Sequence, residues 1–213
     1  TMRSRRNSKS MGWLPSRTKQ DPILNIQIDG HYQSKIYTSG STVSGQVTVS
    51  SQHDIPYQTV QVILTGTTST ANHALQYGDP VTTHLFLKTS MPVPEAALPI
   101  TRILEAGQPY HIPFTFVVPY ELSGPACRHQ NMAVWGRHLQ PPPSMGSWGH
   151  DDLAGGSVRV EYAIKARLVL GKEEGGKQQH LENIHSFKVI PLFPEQPPIH
   201  ISPSNSGYCF SQS

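Results

Sequence analysis

The chain is expected to be all-β, folded as an antiparallel β-sandwich. Three observations point there. Apolar and polar residues alternate with a period of two in one segment after another, the pattern of strands with one buried face. No segment reads convincingly as an amphipathic helix. Charged residues make up only 15% of the 213 residues, while Pro (19) and Gly (17) are frequent, a mix that suits strands and turns.

The elements follow in order. Residues 1–20 are basic and polar without periodicity and are read as a disordered arm, with RSRRNSK at Arg3–Lys9. In ILNIQID, Leu24, Ile26 and Ile28 share one side of a strand. HYQSKIYTSG is a turn-bearing connection, and in STVSGQVTV Val43, Gly45, Val47 and Val49 share a face. QTVQVILTG places Val60, Val62 and Leu64 in register, and Thr83–Thr89 is a further strand. The prolines of MPVPEAALP exclude a central strand there. HIPFTFVVP aligns Ile112, Phe114, Phe116 and Val118, with Pro113 suited to an edge. Residues 119–156 form a long loop or insertion. From Val158 to Leu170 seven apolar positions alternate, the strongest strand in the chain. GKEEGGK is a hairpin loop, and ENIHSFKVIPLF is the last strand, with Phe187 and Val189 inward. Residues 194–213 are a Pro/Ser-rich tail or linker, so one sandwich over 21–193 is expected.

No catalytic, cofactor or metal site is predicted. GSTVSGQV, Gly40–Val47, has the glycine spacing of a phosphate-binding loop, but Gln46 and Val47 stand where the Lys and Ser/Thr would act. Its glycines are expected to serve the backbone: Gly40 in a tight turn at positive φ, Gly45 at a bulge or a close approach. Ser44 lacks the glycine two residues before it that a nucleophile elbow needs. Cys127, His129, His138, His150, Asp151 and Asp152 lie together in the long loop, yet their spacings match no standard ligand motif. That loop is expected to be solvated and polar. A metal-dependent enzyme built on it is the alternative, and an extracellular binding sandwich is another. Trp135 and Trp148 in the loop, and Trp13 in the arm, either anchor a partner or pack on the sandwich.

The net charge of +3 is too small to predict a nucleic-acid partner. Cys127 and Cys209 form no disulfide framework or zinc motif, which is compatible with a reducing cytosol. No apolar run is long enough for a membrane-spanning helix, and no signal peptide is visible.

Four segments in order carry a family likeness. IYTSGSTVSGQVTV (36–49) is similar to a Tyr-x-x-Gly-x-x-Val-x-Gly-x-Val-x-Val pattern, and VQVILTGTT (60–68) to a strand ending in Leu-x-Gly. YHIPFTFVVPYEL (110–122) matches Phe-x-Phe-x-x-Pro, and VRVEYAIKARL (158–168) matches Tyr-x-Ile-x-Ala. Together they resemble the N-terminal domain of arrestin-like proteins, in particular the fungal and α-arrestin branch. The resemblance implies an immunoglobulin-like sandwich and a non-enzymatic adaptor or scaffold in the cytoplasm, at membranes or endosomes. It would bind cytoplasmic tails of receptors or transporters and link them to trafficking or ubiquitin-ligase components in endocytosis and protein transport. Only the first of the two sandwiches usual in arrestins is matched. No Pro-Pro-x-Tyr motif occurs; PPPS at 141–144 lacks the Tyr, and IPY (55–57) and VPY (118–120) have one Pro.

Overall fold

The computed structural model describes residues 23–71, 81–123, 138–146, 158–171 and 178–192. The basic arm, the tail, most of GKEEGGK, all three tryptophans, both cysteines, and His129, His150, Asp151 and Asp152 lie outside the described residues.

Nine strands form the described architecture: β1 (Leu24–Ile28), β2 (Ile36–Tyr37), β3 (Thr42–Val49), β4 (Ile55–Ala71), β5 (Val81–Met91), β6 (Ile103–Leu104), β7 (Tyr110–Val117), β8 (Val158–Leu170) and β9 (His180–Val189). They build two sheets, one ordered β1-β3-β7 and the other β2-β9-β8-β4-β5, with β6 beside β4. The sandwich is all-β, and every pairing between its longer strands is antiparallel; the short β2 adds a parallel pair with β9. Two-residue strands such as β2 and β6 are too short to show a period, so neither is legible in the sequence.

Alternation decides what is buried. Leu24, Ile26 and Ile28 on β1, Val43, Val47 and Val49 on β3, and Ile112, Phe114 and Phe116 on β7 form the inner face of the small sheet. They meet Val60, Val62 and Leu64 of β4, Val160, Tyr162, Ile164, Ala166 and Leu168 of β8, and Phe187 and Val189 of β9 in one contiguous core. The strict alternation of β8 holds from Val160 to Leu168; Val158 is exposed, and Ala163 is buried on the opposite face. Pro113 lies on the edge strand β7, where its missing N–H leaves no gap in an interior ladder.

Both glycines of the broken phosphate loop have backbone roles. Gly40 takes φ +79 in the turn before β3, and its N–H donates to Val118 O at 2.8 Å. Gly45 pairs in unbroken register with Ile28 and Phe114, so no bulge is present. A Cβ there would stand 2.9 Å from Ile28 Cα and 2.7 Å from the Phe114 ring, and closer still to the Gln27 carbonyl. Register shifts fall instead at Tyr57/Thr59, against β8, and at Gly66/Thr67, where β5 gives two residues to one of β4. The ring of Phe86 occupies the space a side chain at Gly66 would fill and packs edge-on against Tyr162, with centroids 5.5 Å apart.

The described parts of the 119–156 segment correct the expectation of a solvated polar loop. Leu122, Leu139 and Pro141 are buried. Leu122 N–H donates to Leu139 O at 2.6 Å, Met145 and Val160 form an isolated antiparallel bridge, and Ser144 Oγ accepts from Val189 N–H at 2.9 Å. The Tyr162 hydroxyl, inside the core, donates to Pro142 O at 2.7 Å. The segment is stitched to β8 and β9 by main-chain bonds, which its composition does not encode.

Candidate interaction edge

A sheet edge presents unpaired N–H and C=O groups, so each of the four lateral edges needs an account. The free side of β1 is covered by side chains of β9. Asn183 Nδ2 donates to Leu24 O at 2.7 Å, and His185 Nδ1 donates to Ile26 O at 3.3 Å. β7 carries Pro113 and has the 3-10 turn Glu95–Ala97 against it. β2 is two residues long. The fourth edge, β5, has 11 residues, pairs only with β4 among the described strands, and is mostly exposed. Val81 and Leu85 stand on it with 62% and 48% of their surfaces open to solvent. Its one bulge and the positive charge of Lys88 are features that discourage indiscriminate edge pairing.

A second opening adjoins this edge. β5 reaches β4 only as far as Val62, and β6 pairs β4 only at Ile55 and Pro56. Between them, residues 57–61 of β4 have no strand on that side. A groove of about 290 Å³ lies there, lined among others by Tyr57, Val60, Val93, Leu98, Ile100 and Arg102. The 92–102 connection, whose prolines exclude a central strand, forms its wall. Tyr57 N–H donates to Arg102 O and the Tyr57 hydroxyl to Pro99 O, both at 3.0 Å, and burial pushes the phenol's pKa up. Arg102 has φ +54, the left-handed region that a residue with a Cβ rarely adopts. This places its guanidinium against the open stretch, where Nη1 donates to Gln58 O at 2.9 Å.

On the outer face of the large sheet, Glu182 is held between Lys165 (3.0 Å) and Arg167. Burial raises its pKa, but hydrogen bonds from both cations outweigh this and hold the carboxyl below its ordinary 4.5. At the capped edge, His31 meets His185 edge-on at 5.2 Å and stacks on Tyr37 at 6.0 Å, while Lys35 lies 4.8 Å over the Tyr37 ring. Burial first, then His185 and Lys35, keep the His31 pKa below 6.5. The unfolded chain therefore binds the proton more readily than the folded one. Stability from this corner is complete above about pH 6.5 and declines as pH falls below it; the Glu182 contribution is lost below about pH 4.5. Urea midpoints should thus fall between pH 7.5 and 5.5, and His31→Gln should flatten that interval while leaving the steeper loss below pH 4.5. An unchanged slope in His31→Gln would assign the acid sensitivity elsewhere.

Of the loop's candidate metal ligands, His138 alone lies among the described residues, on the surface beside buried Leu139. Among the described residues no group of three or more His, Cys, Asp or Glu side chains could hold a metal ion. Ser44 donates to Asp29 at 3.1 Å in an exposed pair on β3, a surface serine in a strand. No described helix is long and apolar enough to cross a membrane. The sequence reading missed the capped edge, the groove and the His31–His185 contact. Their residues come from distant segments, and no local spacing announces them; the prolines around Glu95 are the one signal that pointed to a wall beside the sheet.

No protein-family model and no curated protein matches the chain. Among solved structures it is similar to Spo0M, a sporulation control protein from Bacillus subtilis, at 16% identity and a TM-score of 0.39. The match covers 78% of this chain and 48% of that one, so the chain spans about half of that protein's length. The architecture described above stands on the chain's own strand pairing.

Proposed function

We propose that this sandwich is a non-enzymatic protein-binding module of the arrestin-like type, an adaptor that takes extended partner segments onto the β5 edge. The observation that carries the reading is the contrast among edges: β1 is capped by side chains, β7 bears a proline and has the Glu95–Ala97 turn against it, β2 is two residues long, and β5 is the longest and most exposed edge among the described strands. Main-chain pairing along such an edge supplies affinity, and neighbouring side chains supply selection. The four family-like segments support cytoplasmic tails of receptors or transporters as partners, with trafficking or ubiquitin-ligase components joined to them at membranes or endosomes. These 213 residues contain no Pro-Pro-x-Tyr motif, so no ligase-recruiting segment is assigned within them.

The test is capture of membrane-protein tails from a detergent extract by the full chain and by the double variant Thr83→Lys/Leu85→Lys. Both positions are exposed and the variant loses only the Thr83 hydroxyl's bond to Ser69, so stability should change by less than about 1.5 kcal/mol. Tail capture should fall at least tenfold, because added lysines oppose pairing at an edge. Capture that is equal for both forms, or that recovers no membrane-protein tails, would remove the edge from the account.

A further inference from the structure

We propose that the groove between β5 and β6 is a specificity site for an extended peptide carrying a carboxylate side chain between apolar residues, with Arg102 as the carboxylate receptor. This deepens the reading of the chain as a peptide-binding module, but it names a different surface and is tested separately.

Three independent features converge on that occupant. The first is the gap in the β4 edge at residues 57–61, which neither β5 nor β6 reaches; Tyr57 N–H and Gln58 O are already bonded to Arg102, so the main chain on offer there is that of residues 59–61. A gap this short admits a few residues of extended chain rather than a whole strand. The second is apolar surface without cover. Val60 forms floor, Val93 and Leu98 are half-buried wall, and Ile100, which also lines the groove, is fully exposed. Together with Val93 and Leu98 it gives the groove an apolar side, which apolar side chains flanking the carboxylate would meet.

The third is the state of Arg102. A guanidinium presents five N–H donors in a fork that matches a carboxylate. Here its hydrogen bond goes to one neutral acceptor, the Gln58 carbonyl. Among the described residues no ion pair involves it, although Glu95 also lines the groove. The backbone under Arg102 is in the left-handed region, a conformation whose strain clusters at ligand-binding positions. A glycine would sit there without strain, so an arginine held there points to a use for its side chain. A peptide carboxylate would add charge-assisted bonds to the donors that the Gln58 carbonyl leaves open. Glu95 opposes a second acidic residue nearby, so one acid among apolar neighbours fits better than an acidic run.

The experiment uses fluorescence anisotropy with the full chain and two labelled six-residue peptides of leucine and valine, one with a central glutamate and one with glutamine in its place. The glutamate peptide should bind the parent chain saturably and at least tenfold more tightly than the glutamine peptide. Arg102→Gly should lose at least tenfold affinity for the glutamate peptide while melting at the same or a higher temperature, since glycine relaxes the positive φ. Ile100→Asp, at a fully exposed position, should weaken the same peptide by repulsion, and it serves if Arg102→Gly folds poorly. Equal affinity for the two peptides, unchanged affinity in both variants, or no saturation by about 1 mM would overturn the proposal. Thr83→Lys/Leu85→Lys should leave glutamate-peptide binding intact. Loss of tail capture in that variant without any peptide binding would sink the groove alone; peptide binding without edge-dependent capture would sink the edge alone.

Discussion

Gly45→Val should be the most damaging single substitution in β3, lowering stability by at least about 3 kcal/mol, the upper end of the range for overpacking a core. The reason is what surrounds the missing side chain. A Cβ would meet the Gln27 carbonyl and Ile28 Cα, both backbone atoms of β1, and the Phe114 ring of β7. A flexible side chain can swing aside, but two paired strands cannot separate without giving up their ladder. Because the three-stranded sheet consists of β1, β3 and β7 alone, the strain falls on every pairing it has. For a domain of this size each kcal/mol moves the midpoint by about 2–4 °C, so thermal melting should shift down by roughly 6–12 °C or more. Ser44→Val, one residue away and facing outward, should cost less than about 1 kcal/mol beside it, the typical net worth of the hydrogen bond to Asp29 that it removes. Neither form should bind ATP. Equal melting of the two variants would refute the close-approach account, and saturable ATP binding would restore the phosphate-loop reading of Gly40–Val47.

The second large effect is expected at Tyr162. This side chain is fully buried, packs against Phe86, and spends its hydroxyl on Pro142 O. Burial pushes the phenol's pKa well above its ordinary value, so it stays protonated and remains a donor throughout the usable pH range. Tyr162→Ala removes the ring and leaves a cavity at the centre of β8, with an expected cost of about 3–5 kcal/mol. Tyr162→Phe keeps the ring and removes the donor, leaving the Pro142 carbonyl short of its bond, at a cost of about 1 kcal/mol. Urea midpoints should rank parent, Phe, Ala. The Phe variant should also exchange the Met145 amide faster, since that amide pairs with Val160 in the segment the hydroxyl tethers. Exchange that is unchanged would separate the tether from the 138–146 segment.

These expectations show what was legible. Leu24, Ile26 and Ile28, or Ile112, Phe114 and Phe116, reveal a buried face directly, because a strand's side-chain period is a property of the local backbone. Gly45 was legible for the same reason: it falls on the apolar face between Val43 and Val47, where only close approach or a bulge explains a missing side chain. The register decided between them. The 119–156 segment reads as a solvated loop, although its described part at 138–146 is bonded to β8 and β9, because proline, serine and glycine look alike in either setting. The groove was not readable at all, since it arises between the last β4 residue that β5 pairs, Val62, and the nearest one that β6 pairs, Pro56.

From sequence alone follow the all-β class, the order and inner faces of the long strands, and the failure of the phosphate loop, each set by residue identity at short spacing. The tertiary structure alone decided which edges are capped and which is open, that Arg102 faces a bare stretch of β4, and that His31 meets His185. Those depend on where each strand ends against neighbours far away in the chain, and hydrophobic periodicity carries no information about that.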